Sequence, residues 1–126
     1  MNLLLDTHAF VWAIAQSHLL SRRAAALMSD RANLVWVSAV SAYEIEFKRL
    51  RDPILASLPA DLDEAVRLQG FEWLPLRPAH AMAAGRLPRL HGDPFDRMLA
   101  AQALVEQATL LTRDPLVGAY GPVITW

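Results

Sequence analysis

Short apolar runs that alternate with helix-forming segments constrain the fold of this chain more than any other feature of its sequence. The first run, Asn2–Asp6, reaches an acid without polar alternation, which is typical of a strand buried in a parallel sheet. Strands that alternate with helices predict an α/β fold with a central, mostly parallel sheet of four to five strands, flanked by helices. The predicted strands are Asn2–Asp6, Leu34–Ser38, Phe71–Leu76, Thr109–Thr112 and a short last one at Val123–Trp126.

Residues that cap helices mark where the intervening helices begin. A side-chain oxygen in front of a helix accepts a hydrogen bond from a backbone N–H of the first turn. After the second strand either Ser38 or Ser41 can take this role, and Ser41-x-x-Glu44 matches a capping box. Asp52-Pro53 is expected to end that helix. The other predicted helices are His8–Ala15, Ser21 to about Asp30, Asp61 to about Gln69 before Gly70, and two that open at Pro78 and Pro94.

Composition excludes several classes of protein. The chain has 126 residues, of which 54% are hydrophobic and 20% charged, so we expect one globular domain over residues 1–126. It has no cysteine, which excludes disulfides and thiolate metal sites. The first residues lack a basic flank and no uncharged apolar run is long enough to span a membrane, so we expect a cytoplasmic protein. With a net charge of −1, contact with nucleic acid would need a local basic patch.

The segment from His91 to Ala103 carries the most specific chemistry. Asp93 can cap a helix whose first residue is Pro94, where the missing proline N–H costs nothing. Asp96 lies three residues after Asp93, so the two carboxylates can lie close together at the helix start, where the helix dipole favours anions. Two such carboxylates can hold a hard divalent cation, although acids are also ordinary in a first turn.

Acidic residues follow several strands at the edge where parallel sheets place their functional groups. The five are Asp6, Glu44, Asp93, Asp96 and Asp114. Carboxylates that converge repel one another or recruit a cation. A site made only of oxygen ligands selects Mg²⁺ or Mn²⁺, is completed by phosphate oxygens, and points to phosphodiester hydrolysis. The structural alternatives are helix capping and ion pairs of Lys48 with Glu44 and of Arg97 with Asp93.

Four motifs, in this order, resemble the PIN-domain family over essentially the whole chain. They look most like the VapC-type ribonuclease toxins of bacterial toxin–antitoxin pairs. The motifs are Leu4–His8, Ser38–Ile45, His91–Ala103 and Leu111–Asp114. The resemblance implies one PIN domain acting as a Mg²⁺- or Mn²⁺-dependent endoribonuclease. It also implies an RNA substrate, a small antitoxin and a homodimer, without a membrane partner.

The resemblance also assigns roles to single residues. Asp6, Glu44 and Asp96 match the three core acids of the family, and Asp93 is an extra acid typical of this branch. These four are the expected metal ligands, and Asp114 joins them as a catalytic residue because the family often has a fourth acid or an asparagine at its position. Side chains expected to support the carboxylates or to contact substrate are Thr7, Ser38, His91, Arg97 and Thr112.

Two functions of other classes stay open at this point. A phosphate-receiving switch of the response-regulator type also uses acids at strand ends around Mg²⁺, but it needs a lysine at a late strand end, and Lys48 is the only lysine. A non-catalytic interaction module could keep the same fold. A dinucleotide-binding domain is disfavoured, because no G-x-G-x-x-G follows the first strand.

Overall fold

The computed structural model describes residues 1–88, 92–114, 120–121 and 123–125, the last range by its backbone alone. In these ranges the strands are β1 (Asn2–Leu5), β2 (Leu34–Ser38), β3 (Glu72–Leu74), β4 (Thr109–Thr112) and β5 (Val123–Thr125). The helices are α1 (Thr7–Ala15), α2 (Arg22–Ser29), α3 (Ala39–Lys48), α4 (Pro53–Ala56), α5 (Leu62–Leu68), α6 (Pro78–Arg86) and α7 (Pro94–Glu106), with a 3₁₀ turn at Ser17–Leu19. None of the helices in this part of the chain is long and apolar enough to cross a membrane.

The strands form one parallel sheet in the order β3-β2-β1-β4-β5, which confirms the predicted α/β architecture. β1 is central, since Leu5 pairs with Val37 of β2 on one side and with Leu111 of β4 on the other. The carboxyl ends of these three strands therefore share one edge of the sheet. The residues that follow them come together at that edge.

Helices cover both faces of the sheet, which explains why β1 lacks polar alternation. Leu3 and Leu5 point to one face and pack in a core cluster with Phe10 of α1. Leu4 points to the other face and packs in a second cluster with Leu99 of α7. All five of these side chains are fully buried, so the strand is apolar at every position from 3 to 5.

Two local predictions are wrong, each for a physical reason. Ser38 caps α3 by accepting from the Val40 N–H at 2.9 Å, whereas Ser41 lies inside the helix, so the predicted capping box does not form. β3 ends at Leu74 rather than at residue 76, since Pro75 has no N–H to continue the ladder. The preceding helix does end before Asp52-Pro53, as predicted, and the extended Asp52 also caps the short helix α4, with Pro53 at its first position. His91 and Trp126 lie outside the described residues.

Candidate active site at the carboxyl edge of the sheet

Asp6 follows β1 at the centre of the sheet edge and is only 5% exposed. Its Oδ1 accepts from the Ala9 N–H at 2.7 Å, so it caps α1 as predicted. The Thr112 side chain and the Arg113 backbone also hydrogen-bond this carboxylate. Burial raises the pKa of the Asp6 carboxyl above its ordinary value, because desolvation outweighs these hydrogen bonds and the neighbouring His8.

Glu44 reaches the same edge from α3, with both of its carboxylate oxygens engaged. Oε1 accepts from the Thr7 hydroxyl at 2.6 Å, and Oε2 accepts from Lys48 Nζ at 2.5 Å. Thr7 thus hydrogen-bonds a carboxylate, which is the supporting contact expected of it from the sequence. The pKa of Lys48 is raised, first by its hydrogen bond to Glu44 and then by the charges of Glu44, Asp93 and Asp96. Lys48 therefore faces acids from both α3 and α7.

The start of α7 brings two more acids to the edge. Asp93 caps the helix, since its Oδ1 accepts from the Phe95 N–H at 2.8 Å and from the Asp96 N–H at 3.3 Å. Pro94 occupies the first helical position and Asp96 lies in the first turn, as the sequence predicts. The backbone dipoles of α7 stabilise negative charge at both side chains.

A cleft of about 420 Å³ opens at this edge beside β1 and β4. The Asp114 N–H donates to Thr112 Oγ1 at 3.0 Å, which ties the residues after β4 to the hydroxyl that hydrogen-bonds Asp6. The Arg113 guanidinium lies 4.5 Å from the ring centroid of Trp12, in cation–π contact. The described residues that line the cleft are Asp6, His8, Asp96, Arg113 and Asp114. Carboxylates and cations thus share one opening.

Comparison with protein-family models decides the family. The model of the PIN domain matches residues 3–117, which is most of the chain. The chain belongs to the PIN-domain family. The match confirms the resemblance seen in the four motifs, and it includes the strands, helices and acids that form the cleft.

Individual relatives of this PIN domain agree with that assignment. It is similar to Ribonuclease VapC22 of Mycobacterium tuberculosis, with 30% identity over 99% of this chain and 98% of that protein. Its fold matches the crystal structure of VapBC2 from Rickettsia felis bound to a promoter DNA fragment, with a TM-score of 0.76, 20% identity and coverage of 100% and 99%. DNA-bound VapBC from Salmonella typhimurium gives a TM-score of 0.71 at 18% identity, with coverage of 100% and 98%.

Two residues of this PIN domain that were expected to support the carboxylates or to contact substrate, Ser38 and Arg97, hydrogen-bond to other groups instead. Ser38 is fully buried, and its hydroxyl donates to Gln102 Oε1 while it caps α3. Arg97 does not form the ion pair with Asp93 that the sequence offered as an alternative. Its guanidinium instead donates to the carbonyl of Ala84, in the last turn of α6, at 2.8 Å and to the carbonyl of Pro88, just beyond that helix, at 2.8 Å.

Sequence reasoning missed a buried polar network beneath the site. Gln102 Nε2 lies 3.3 Å from His80 Nδ1, and His80 Nε2 lies 3.0 Å from Glu106 Oε2. His80 Nδ1 also accepts from the Arg77 N–H at 3.0 Å, so the Nε2–H donates to Glu106. Through Ser38 this network positions the start of α3, the helix that carries Glu44. The one available signal was an amide, Gln102, within an otherwise apolar stretch of α7.

The acids of the described residues are not arranged as a ready-made metal site. Within the described ranges, no three His, Asp or Glu side chains are arranged to hold a metal ion. The acids still fit a hard divalent cation, because Asp6, Asp96 and Asp114 offer carboxylate oxygens in one cleft, which His8 and Arg113 also line. Glu44 is instead held by Thr7 and Lys48.

The burial of Asp6 leads to a stability prediction for the metal-free protein. Its pKa is higher in the folded than in the unfolded chain, so folding is penalised once the pH rises above the unfolded value of about 4. The penalty grows until the pH passes the folded pKa and then stays constant. An asparagine at this position can still cap α1 but carries no charge. We therefore expect Asp6→Asn to raise the free energy of unfolding at pH 7, measured by urea denaturation in EDTA.

The same substitution at an exposed cap is the matched control. Asp61 caps α5 by accepting from the Glu64 N–H at 3.0 Å, and it lies at the surface. Asp61→Asn should change stability little at pH 7, because an exposed cap stays hydrated. The gain from Asp6→Asn should disappear as the pH falls below about 4. A stability gain at Asp6 that persisted in acid would contradict the desolvation argument.

Proposed function

We propose that this protein is a Mg²⁺- or Mn²⁺-dependent endoribonuclease and the toxin of a toxin–antitoxin pair. Residues 1–126 would form its single PIN domain. The observation that carries the proposal is the acidic cleft. Asp6, Asp96 and Asp114 line it together, in a chain that is 30% identical to a ribonuclease over nearly its full length. Oxygen donors at this edge match the ligands that a hard cation and a phosphodiester need.

We assign the divalent ion to the carboxylates at the sheet edge, with Asp6 and Asp96 as its central ligands. Asp93 and Glu44 complete the proposed set of ligands. Asp114 follows β4, on the side of β1 opposite to β2, and lines the same cleft as Asp6 and Asp96. When bound, the ion would supply a Lewis acid that neutralises charge developing on phosphorus and activates water. The positive charge would also offset the desolvation of Asp6, whose carboxylate is buried.

The protein's own groups orient the reacting parts. The Ala9 N–H and the Thr112 hydroxyl hold the Asp6 carboxylate in place, so no reorganisation is needed when charge develops beside it. Arg113, held over the Trp12 ring, lies at the cleft and can donate hydrogen bonds to an RNA phosphate. This provides the local basic group that a chain of net charge −1 requires for contact with nucleic acid.

The same family assignment supports a partner protein. The similar structures from Rickettsia felis and Salmonella typhimurium are VapBC assemblies bound to DNA. We assign to this chain a cognate small antitoxin that neutralises it in the cytoplasm, and a homodimer as its own assembly. Sedimentation of the purified chain tests the dimer, which a monomer at micromolar concentration would contradict.

The decisive experiment measures RNA cleavage by the purified, antitoxin-free protein. A structured RNA is incubated with Mg²⁺ or Mn²⁺, then with EDTA, and an Asp6→Asn/Asp96→Asn double variant is run in parallel. We expect cleavage that requires the metal and is lost in the variant. Cleavage that continued in EDTA, or that the double variant retained in full, would refute the proposed mechanism.

A further inference from the structure

Lys48 is the one lysine of the chain, and its ammonium lies among the acids of the proposed site. Nζ is 2.5 Å from Glu44 Oε2, one helical turn away on α3. It also lies 5.3 Å from the ring centroid of Phe95, in the first turn of α7. Phe95 lies between Asp93, the N-cap of this helix, and Asp96 in its first turn. The ammonium therefore sits between α3 and the start of α7.

Both oxygens of Glu44 are already hydrogen-bonded. Oε1 accepts from Thr7, whose hydroxyl is itself 2.9 Å from Ser41 Oγ, and Oε2 accepts from Lys48. The Thr7 and Ser41 side chains are buried, which leaves the Lys48 side as the open approach to the carboxylate. A divalent ion that used Glu44 would meet the ammonium there, and two cations in that position repel each other.

We propose that Lys48 is an internal counter-cation of the acidic site, which competes with a divalent ion for Glu44 and must leave this carboxylate when the ion binds. This inference rests on the proposed function, because it concerns the same metal ligands. It assigns a positioning role to Lys48, which lies outside the four motifs that carry the family resemblance.

Burial makes the two partners unequal. The Glu44 side chain is 9% exposed, so leaving it without a counter-charge is costly, whereas the Lys48 side chain is 43% exposed. Lysine carries its charge on a flexible four-carbon stem, so the ammonium can swing into solvent while Glu44 stays in place. The incoming ion then provides the charge that the buried carboxylate loses. Lys48 thus holds the Glu44 carboxylate in position until the metal arrives.

Metal affinity tests this competition without any need for cleavage. Removing the ammonium by Lys48→Met should tighten Mn²⁺ binding on the order of tenfold, because one repulsive charge near the ion is gone. Lys48→Arg keeps the charge and should bind Mn²⁺ about as wild type does. Arg51→Met is the matched control, since it removes the same formal charge from an exposed residue beyond the end of α3. Isothermal titration calorimetry with Mn²⁺ alone gives all four affinities.

A second measurement observes the ammonium directly. Labelling with ¹⁵N-lysine yields a single side-chain signal, because the sequence has one lysine. We expect this signal to shift when Mg²⁺ saturates the wild-type protein, as the ammonium leaves Glu44. The Arg51→Met protein should show the same shift, and circular dichroism verifies that each variant is folded.

The outcomes separate this inference from the proposed function. Mn²⁺ binding that is equal or weaker in Lys48→Met, or a lysine signal that stays in place at saturating Mg²⁺, overturns the counter-cation role and leaves the nuclease proposal standing. A wild-type protein that binds Mn²⁺ weakly beside a Lys48→Met protein that binds it tightly supports the inference. No Mn²⁺ binding by either protein overturns both.

Discussion

Asp96→Asn should lower the rate of metal-dependent RNA cleavage by about a thousandfold. Asp96 lies in the first turn of α7 and lines the cleft with Asp6, so we assign it as a central ligand of the ion. Loss of an anionic ligand removes several kcal/mol of charge stabilisation in the transition state, and each 1.36 kcal/mol or so corresponds to a factor of ten in rate. Single-turnover cleavage at rising Mn²⁺ concentration measures the effect, and excess metal should restore only part of the rate.

A carboxylate that lies outside the cleft provides the control. Glu46 is on α3, two residues from Glu44, but it is exposed and pairs with Arg49 at 3.0 Å. Glu46→Gln should leave the cleavage rate within about twofold of wild type, since an exposed ion pair contributes little. Equal losses in Asp96→Asn and Glu46→Gln would place the catalytic acids elsewhere on the protein.

Phe10→Ala should lower the free energy of unfolding by about 3–5 kcal/mol. Phe10 is fully buried in the cluster that contains Leu3 and Leu5, and its ring meets Trp73 edge to face with centroids 6.5 Å apart. Truncation removes this apolar contact and leaves a cavity that the sheet and α1 fill only in part. Because domains of this size are stable by only about 5–15 kcal/mol, urea unfolding monitored by circular dichroism should show the loss clearly.

Phe47 is the matched aromatic control for this experiment. It is 65% exposed on α3, where its ring stacks on Tyr43 with centroids 5.9 Å apart. Phe47→Ala should therefore lower stability by less than about 1 kcal/mol, the contribution of an exposed ring pair. If the two phenylalanine variants were equally unstable, the core described around Phe10 would be incorrect.

The strands and helix starts of this protein could be predicted from sequence because short-range physics specifies them. Asp6, Ser21 and Asp61 each accept a hydrogen bond from the backbone N–H three residues ahead, so both partners of the capping contact lie within one helical turn. Asp93 does the same for α7. The apolar residues of β1 likewise indicate a strand covered on both faces. Such signals depend on neighbouring residues alone.

The placement of acids at one edge could also be predicted, but only some of their partners could. Parallel strands bring the residues after β1 and β4 together whatever the side chains are, and Asp6, Asp96 and Asp114 do line one cleft. The contact of Glu44 with Lys48 follows from helical spacing. It was one of the two ion pairs that the sequence offered as alternatives to a metal site. The other, between Arg97 and Asp93, is replaced by carbonyl contacts that depend on where α6 ends.

Tertiary packing decided the contacts that join distant parts of the chain. Thr7 donates to Glu44 across 37 residues, and Ser38 donates to Gln102 across 64 residues. The second contact selects Ser38 over Ser41 as the cap of α3, a choice that local propensity leaves open. Burial of Asp6, which raises its pKa, also exists only in the folded sheet. Local hydrogen bonds and apolar patterning thus determine the elements and the edge at which the acids meet. Desolvation and long-range pairing, which need the assembled core, determine the pKa of Asp6 and the partners of Glu44.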